Sequence, residues 1–285
     1  MRAIPVLCLW ACAAAALAAA EDSVTFAYQI PPLGQTVRQT SALELRLDVT
    51  ARAAGKIVQQ GRDEFIHRQT RRETVLALDG KRLTGLKVHY ERVDFKQAGD
   101  VPAPSAVEGQ AYVVEHRDGT LQTRRSDGRA LHLFEKQKLE EDFGAFHEAD
   151  ALAAYLDGRG VKLNEKLAPD GKLARKLLNL KPADPEQVET FELTLTGTRK
   201  AAGFDCAVFK AKLVMSKLDE SAGNKQKMTT AFEGELLIGI ANTWLVEAAL
   251  AGPVTVAGHV TEGGLKMEVE GAGKVKLNLE SRVVE

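Results

Sequence analysis

The feature that most constrains this chain is a period-two alternation of apolar and polar residues. Leu43, Leu45, Leu47 and Val49 alternate with Glu44, Arg46, Asp48 and Thr50. Near the C-terminus Leu265, Met267, Val269, Val275, Leu277 and Leu279 keep one parity, with Gly271 and Gly273 between them, and charged residues fill the other. Met228, Thr230, Phe232, Leu236 and Ile238 form a third row, and Trp244, Val246, Ala248 and Leu250 a fourth. Successive side chains of a strand point to opposite faces, so each row predicts a strand with one dry and one wet face. One-sided strands belong to antiparallel sheets, because parallel strands are normally apolar on both faces. Burying each Leu or Val is worth about 1.5–3 kcal/mol. A one-residue slip would expose a whole row, so register is well specified.

Between Tyr90 and Val93 the apolar parity switches, from Leu86, Val88 and Tyr90 to Val93 and Phe95. One extra residue near Glu91-Arg92, a β-bulge, accounts for the switch. Asp79-Gly80, Asp118-Gly119 and Asp127-Gly128 mark turns, since Asp-Gly tolerates positive φ. The middle third changes period. Leu139, Phe143 and Phe146 make one helical stripe, Leu152, Tyr155 and Leu156 a second closed by Gly158, and Leu173, Leu177 and Leu180 a third stopped by Pro182. The expected fold is therefore α+β and mostly β. It is a curved antiparallel meander sheet or incomplete barrel, with a mid-chain helical insert packed on its dry face. Two β subdomains bridged by the helices form the alternative.

Residues 1–20 read as a secretory signal. Arg2 is followed by an apolar alanine-rich run, and Ala18-Ala19-Ala20 fits a small-residue cleavage site. Lipoprotein anchoring through Cys12 is disfavoured by Trp10 in the position of a small residue. Export to the periplasm or medium is the expectation, with residues 21–285 as one mostly-β domain. Within it, 21–131 form a first strand block, 132–182 the helical insert and 183–285 a second strand block. No other apolar run is long enough for a transmembrane helix. Beyond the signal only Cys206 remains, so no internal disulfide is expected, and its place in a strand-like run makes it a buried small hydrophobe. The chain carries 38 basic and 39 acidic residues, a balance that argues against nucleic acid as a partner.

The sequence carries little sign of a reaction centre. There is no Gly-x-Ser-x-Gly, no phosphate-binding glycine loop, no dinucleotide fingerprint and no His-Glu-x-x-His. Neither a catalytic residue nor a cofactor is assigned. Glu140, His147, Glu148 and Asp150, with Glu141 and Asp142, form the one acidic cluster that could be weighed as metal ligands. On a helix, however, Glu140 falls on the wet side of the Leu139/Phe143/Phe146 stripe, where a solvated face is expected. Arg62, Arg68, Arg71 and Arg72 gather on one segment, and lysines and arginines between Lys162 and Lys181 on another. Both read as solvated faces with acids interspersed. Trp244 lies on an apolar parity and reads as core.

The run Glu108-Gly109-Gln110-Ala111-Tyr112-Val113-Val114, the Asp118-Gly119 hairpin, Ser126-Asp127-Gly128 and the strand entry Gly203-Phe204-Asp205-Cys206 resemble an uncharacterised family of exported bacterial proteins. The resemblance implies the order β block, short helices, β block and an exported location, without an activity. The leading expectation is a non-catalytic envelope protein acting as a binding or interaction module, with a lipid or other apolar ligand, or an envelope protein, as partner. Phe232, Leu236, Trp244, Val246 and Leu277 are the candidate lining of its ligand cavity. An envelope-polymer hydrolase and a structural or assembly protein are the alternatives.

Overall fold

The computed structural model describes residues 23–80, 82–97, 105–144, 146, 151–177, 186–221 and 224–284. The proposed signal segment therefore lies outside the described residues. The first strand block holds β1 (Ser23–Thr25), β2 (Thr36–Ala53), β3 (Lys56–Asp79), β4 (Arg82–Gln97), β5 (Ala111–Arg117) and β6 (Thr120–Arg125). The insert holds α1 (Leu133–Phe143), α2 (Ala151–Leu156), β7 (Gly160–Lys162), β8 (Lys166–Leu167) and α3 (Gly171–Leu177). The second block holds β9 (Glu186–Ala201), β10 (Phe204–Ser221), β11 (Asn224–Gly239), β12 (Leu245–Glu262) and β13 (Leu265–Val284). Among the described residues eleven strands form one antiparallel sheet in the order β6-β5-β4-β3-β2-β13-β12-β11-β10-β9-β8, open at both edges rather than closed into a barrel. The two strand blocks are thus one sheet, joined where β13 pairs with β2 from Glu268↔Arg52 to Val284↔Thr36.

The alternation rows fall on one face. Leu43, Leu45 and Leu47 lie directly beside Leu277, Val275 and Gly273, and Leu277 lies beside Leu250. The opposite face carries charge, with Glu44–Arg68, Arg46–Glu64 and Asp48–Arg62 pairing across β2 and β3. Bulges re-aim the strands. Thr70 pairs with Arg92 and Arg71 with Tyr90, which leaves Glu91 as the extra residue where the sequence places one. The fourth row does not keep one face. Leu237 pairs with Glu247 and Ile238 with Leu245, so Val246 is bulged out. The expectation of one continuous parity from Trp244 to Leu250 is corrected accordingly: a bulge inserts one residue, and everything before it changes face.

The sheet also folds sharply. A Cβ built on Gly273 would lie 1.8 Å from the Arg46 carbonyl oxygen of β2, one on Gly252 1.8 Å from that of Ala231 in β11, and one on Gly234 1.9 Å from that of Ala249 in β12. In a flat sheet a Cβ stands perpendicular to the plane and never meets the neighbouring backbone. A collision on the dry side means the neighbouring strand rises toward that side. These glycines run diagonally across β13, β12 and β11, and the dry face is concave there. Bulges and glycine kinks are the two devices that bend sheets.

Two layers cover the dry face. On β9–β12, Phe26, Leu156, Val161 and Leu167 pack with Leu193, Phe209 and Ile238, and the rings of Phe26 and Phe209 stack at 6.0 Å. Phe26 directly follows β1, which pairs with β7 in a small sheet of two strands. Asp170 caps α3, its carboxylate accepting from the Leu173 N–H at 2.8 Å. At the other side α1 buries Leu139 and Phe143 against Val75, Leu86, Val88, Tyr90, Tyr112 and Val114. Among the described residues no helix is long and apolar enough to cross a membrane.

Candidate functional site

Between these two layers the dry face continues across β3, β2, β13 and β12 in three cross-strand rows. The first is Phe65, Leu45, Val275 and Gly252. The second is His67, Leu43, Leu277 and Leu250, and the third is Gln69, Ser41, Leu279 and Ala248. Leu43, Leu45, Leu277 and Leu279 are only partly buried, although Val275 and Leu250 beside them are buried. Three strand spacings from β3 to β12 make the rows about 14 Å long. The result is an apolar strip with a polar end on β3.

That polar end is organised by α1. Residues 135, 139, 142 and 143 share one helical face, so the face that meets the sheet is half apolar and half acidic. Asp142 gathers the Tyr90 hydroxyl (2.7 Å), Lys138 Nζ (2.6 Å), an Arg71 guanidinium nitrogen (3.4 Å) and the Gln69 amide (3.5 Å). Two turns earlier Glu135 accepts from the Tyr112 hydroxyl at 2.6 Å and pairs with Arg125 at 2.9 Å. Its second oxygen accepts from the His132 N–H at 2.7 Å, which closes the first turn of α1. Charge-assisted hydrogen bonds of this kind are roughly twice as strong as neutral ones. The helix is held to the sheet at both ends by a tyrosine–carboxylate pair with an arginine beside it.

The electrostatics follow from burial. Burial, then Asp142, push the Tyr90 phenol above its ordinary range, and burial followed by Glu135 does the same to Tyr112. Burial alone would raise Glu135, but the Tyr112 hydroxyl, the His132 N–H and Arg125 outweigh it and hold that carboxyl below the usual glutamate value. Burial works against the Arg71 guanidinium, yet Glu73 and Asp142 more than offset it. Arg71 also lies over the Phe143 ring at 4.9 Å. His67 is held below the ordinary histidine value by burial and then by Lys138, with Asp142 and Glu141 opposing.

The residues singled out from the sequence distribute unevenly. Phe232 and Leu236 are buried on the dry face and Leu277 lies half-buried in the strip beside them. Val246 packs instead with Cys206 and Leu237, and Trp244 meets the Phe204 ring edge-on at 5.8 Å in that same region of the opposite face. The structure thus brings three of the five together and separates the other two. Glu140 is exposed on α1, while His147, Glu148 and Asp150 lie outside the described residues. Among the described residues no three His, Cys, Asp or Glu side chains converge as a metal site would need. Of the arginine group, Arg62, Arg68 and Arg72 pair with Asp48, Glu44 and Glu91 on the wet face, whereas Arg71 points to the dry face beneath α1. Arg71, Gln69, Tyr90 and Asp142 were not legible as a group. The available signal was parity, since Arg71 shares the odd positions of Phe65 and Val75.

No family model matches the chain, and neither does any curated protein. Solved structures give distant likenesses. One is lipovitellin, in a structure titled for lipid–protein interactions, at 8% identity and a TM-score of 0.32, over 89% of this chain and 25% of that one. A second is an outer membrane channel from Pseudomonas putida, at 10% identity and a TM-score of 0.18, over 88% of this chain and 97% of that one. A third is the type II secretion system outer membrane complex of Klebsiella pneumoniae, at 8% identity and a TM-score of 0.18, over 90% and 41%. The chain spans about a quarter of the lipovitellin chain. TM-scores this low do not define a shared fold.

Proposed function

We propose that this protein is an exported binding module that holds an apolar or amphiphilic ligand on the concave, dry face of its open sheet. Export rests on the N-terminal signal pattern. One observation carries the ligand reading: the half-buried strip of Leu43, Leu45, Leu277 and Leu279, which runs between two covered regions of the same sheet face. Apolar side chains left half in water at the centre of a concave surface are what an apolar ligand would complete, since each gains about 25 cal/mol per Å2 when water is removed. The wet face is unsuited to that task, because it carries cross-strand ion pairs.

The test is saturable binding of a fluorophore bearing a long alkyl chain, followed by intensity and titration stoichiometry. Leu277→Asp, which places a charge in the strip, should weaken binding at least about tenfold, because an unpaired carboxylate in apolar surroundings costs several kcal/mol. Lys276→Asp, one residue away on the wet face, should leave it unchanged. Absence of saturable binding to the intact protein, or equal loss in both variants, would overturn the reading.

A further inference from the structure

The polar end of the strip contains an acceptor without a donor. Gln69 is only 6% exposed, and its amide nitrogen donates to Asp142, but its carbonyl oxygen Oε1 is buried without a hydrogen-bond partner. A buried acceptor left unmade costs free energy, and native structures seldom tolerate one without a ligand or water to serve it. Gln69 lies opposite Ser41 and one pleat from His67, which lies opposite Leu43. All these positions belong to the dry face, so Gln69 stands where the apolar strip begins, its Oε1 covered by its neighbours.

The charge around it is already balanced. Arg71 and Lys138 face Glu73 and Asp142, and the remaining acid near Lys138, Glu141, has a side chain 76% exposed to solvent. Burial and then Lys138 hold the His67 pKa below the ordinary histidine value, which favours its neutral form. A charged head would enter without an unpaired counter-charge to meet it, and its desolvation would go uncompensated. Turned toward the strip, Gln69 Oε1 would accept from an uncharged head with a hydrogen to donate, and His67 and Ser41, at neighbouring positions of the same face, would be further partners.

From this juxtaposition we propose that Gln69, with His67 and Ser41, forms the head-group site for an amphiphile whose head is uncharged and donates a hydrogen bond, a hydroxyl or an amide, and whose tail lies along Leu43, Leu277 and Leu250. The proposal rests on the ligand-binding reading and specifies its substrate class. It predicts discrimination between amphiphiles that share one tail.

The experiment displaces the alkyl fluorophore with a long-chain monoacylglycerol and with the fatty acid of the same chain, at neutral pH. The monoacylglycerol should compete about tenfold better. Gln69→Leu should weaken the monoacylglycerol about fivefold, the loss of one neutral hydrogen bond, while leaving the fatty acid and the fluorophore unchanged. His67→Asn serves as the second variant and should lower the same preference, so that a folding defect in one does not decide the matter. If the fluorophore itself never binds, the ligand-binding reading falls and the head site with it. If the fluorophore binds but the fatty acid competes equally, or both variants keep the preference, the head site alone falls and Gln69 is served by water only.

Discussion

The concave line of glycines makes a prediction whose sign is opposite at two positions of the same face. Gly252 would place a Cβ 1.8 Å from the Ala231 carbonyl oxygen, more than an ångström inside contact distance, and the obstacle is backbone of the adjacent strand rather than a side chain that can swing away. Gly61 in β3 points to the same face, beside Val49, but an added Cβ there meets nothing within 4 Å. Replacing glycine by alanine at an unstrained site stabilises by about 0.4–1 kcal/mol, through the reduced freedom of the unfolded chain. Gly61→Ala should therefore gain roughly that amount. Gly252→Ala receives the same unfolded-state benefit but must push β11 from β12 over the tightest part of the bend. Overpacking of this kind costs about 1–3 kcal/mol even where side chains can yield. Here carbonyls of the ladder must move, so a net loss of about 2 kcal/mol is expected. The assay is urea unfolding followed by circular dichroism. With a slope of about 3 kcal/mol per molar, the midpoint should fall by roughly 0.7 M for Gly252→Ala and rise by about 0.1–0.3 M for Gly61→Ala. A Gly252→Ala protein as stable as the parent would refute the sharp bend, and with it the concavity that the proposed binding face requires.

Other expectations follow from the attachment of α1. Tyr112→Phe removes the hydrogen bond to buried Glu135 and should cost about 1.5–3 kcal/mol, read as a lower urea midpoint, whereas Glu44→Gln on the exposed ladder should cost no more than about 1 kcal/mol. Acid should unfold the protein in two stages with known sign. His67 has a native pKa below its unfolded value of 6.5, so its contribution is complete above 6.5 and declines as the pH falls below it; His67→Gln should flatten that first stage. Glu135, also depressed, contributes stability present above 4.5 that is lost as the pH falls through its lower native value; Glu135→Gln should be less stable at neutral pH and should lose less on acidification below 4.5. A parent protein that gained stability between about pH 7 and 5 would contradict the first assignment.

The sheet was legible because its strands are one-sided. Leu43 to Val49 and Leu265 to Leu279 announce their faces directly, and the parity switch at Glu91 announces a bulge. Two features resisted. The bulge at Val246 falls where apolar residues occupy both parities, with Leu245 and Val246 adjacent, so no switch could be seen. The polar end beneath α1 uses Gln69, Arg71 and Glu73 on the dry parity of β3, where polar residues interrupt the pattern that identifies a dry face. Their partner Asp142 comes from a helix whose docking face mixes Leu139 and Phe143 with two acids, so the stripe shows its apolar half and conceals the polar one. Gly273 was visible as a residue that keeps parity, but its diagonal alignment with Gly252 and Gly234 across β13, β12 and β11 depends on register, which only the paired strands reveal.

An open sheet must deal with two unpaired edges, and the way this one does so bears on its centre. Exposed edges recruit other strands unless they are short, charged or covered. At one end β8 is two residues long and α3 lies against β9; at the other, β6 is six residues long and alternates Gln122 and Arg124 with Leu121 and Thr123, with α1 beside it. The covering elements are thus stationed at the two edges, where backbone needs protection. The long central strands β2, β13 and β12 need none, because both of their edges are paired. Their dry side chains still need burial, however, and half-buried leucines at a concave bend are the residue of that arrangement. Protecting edges with helices drawn from one insert leaves the middle of the face to be filled by something that is not backbone. The apolar chain of the proposed ligand would meet that requirement with no hydrogen-bonding groups of its own to satisfy along the strip, needing partners only at the end where Gln69 stands.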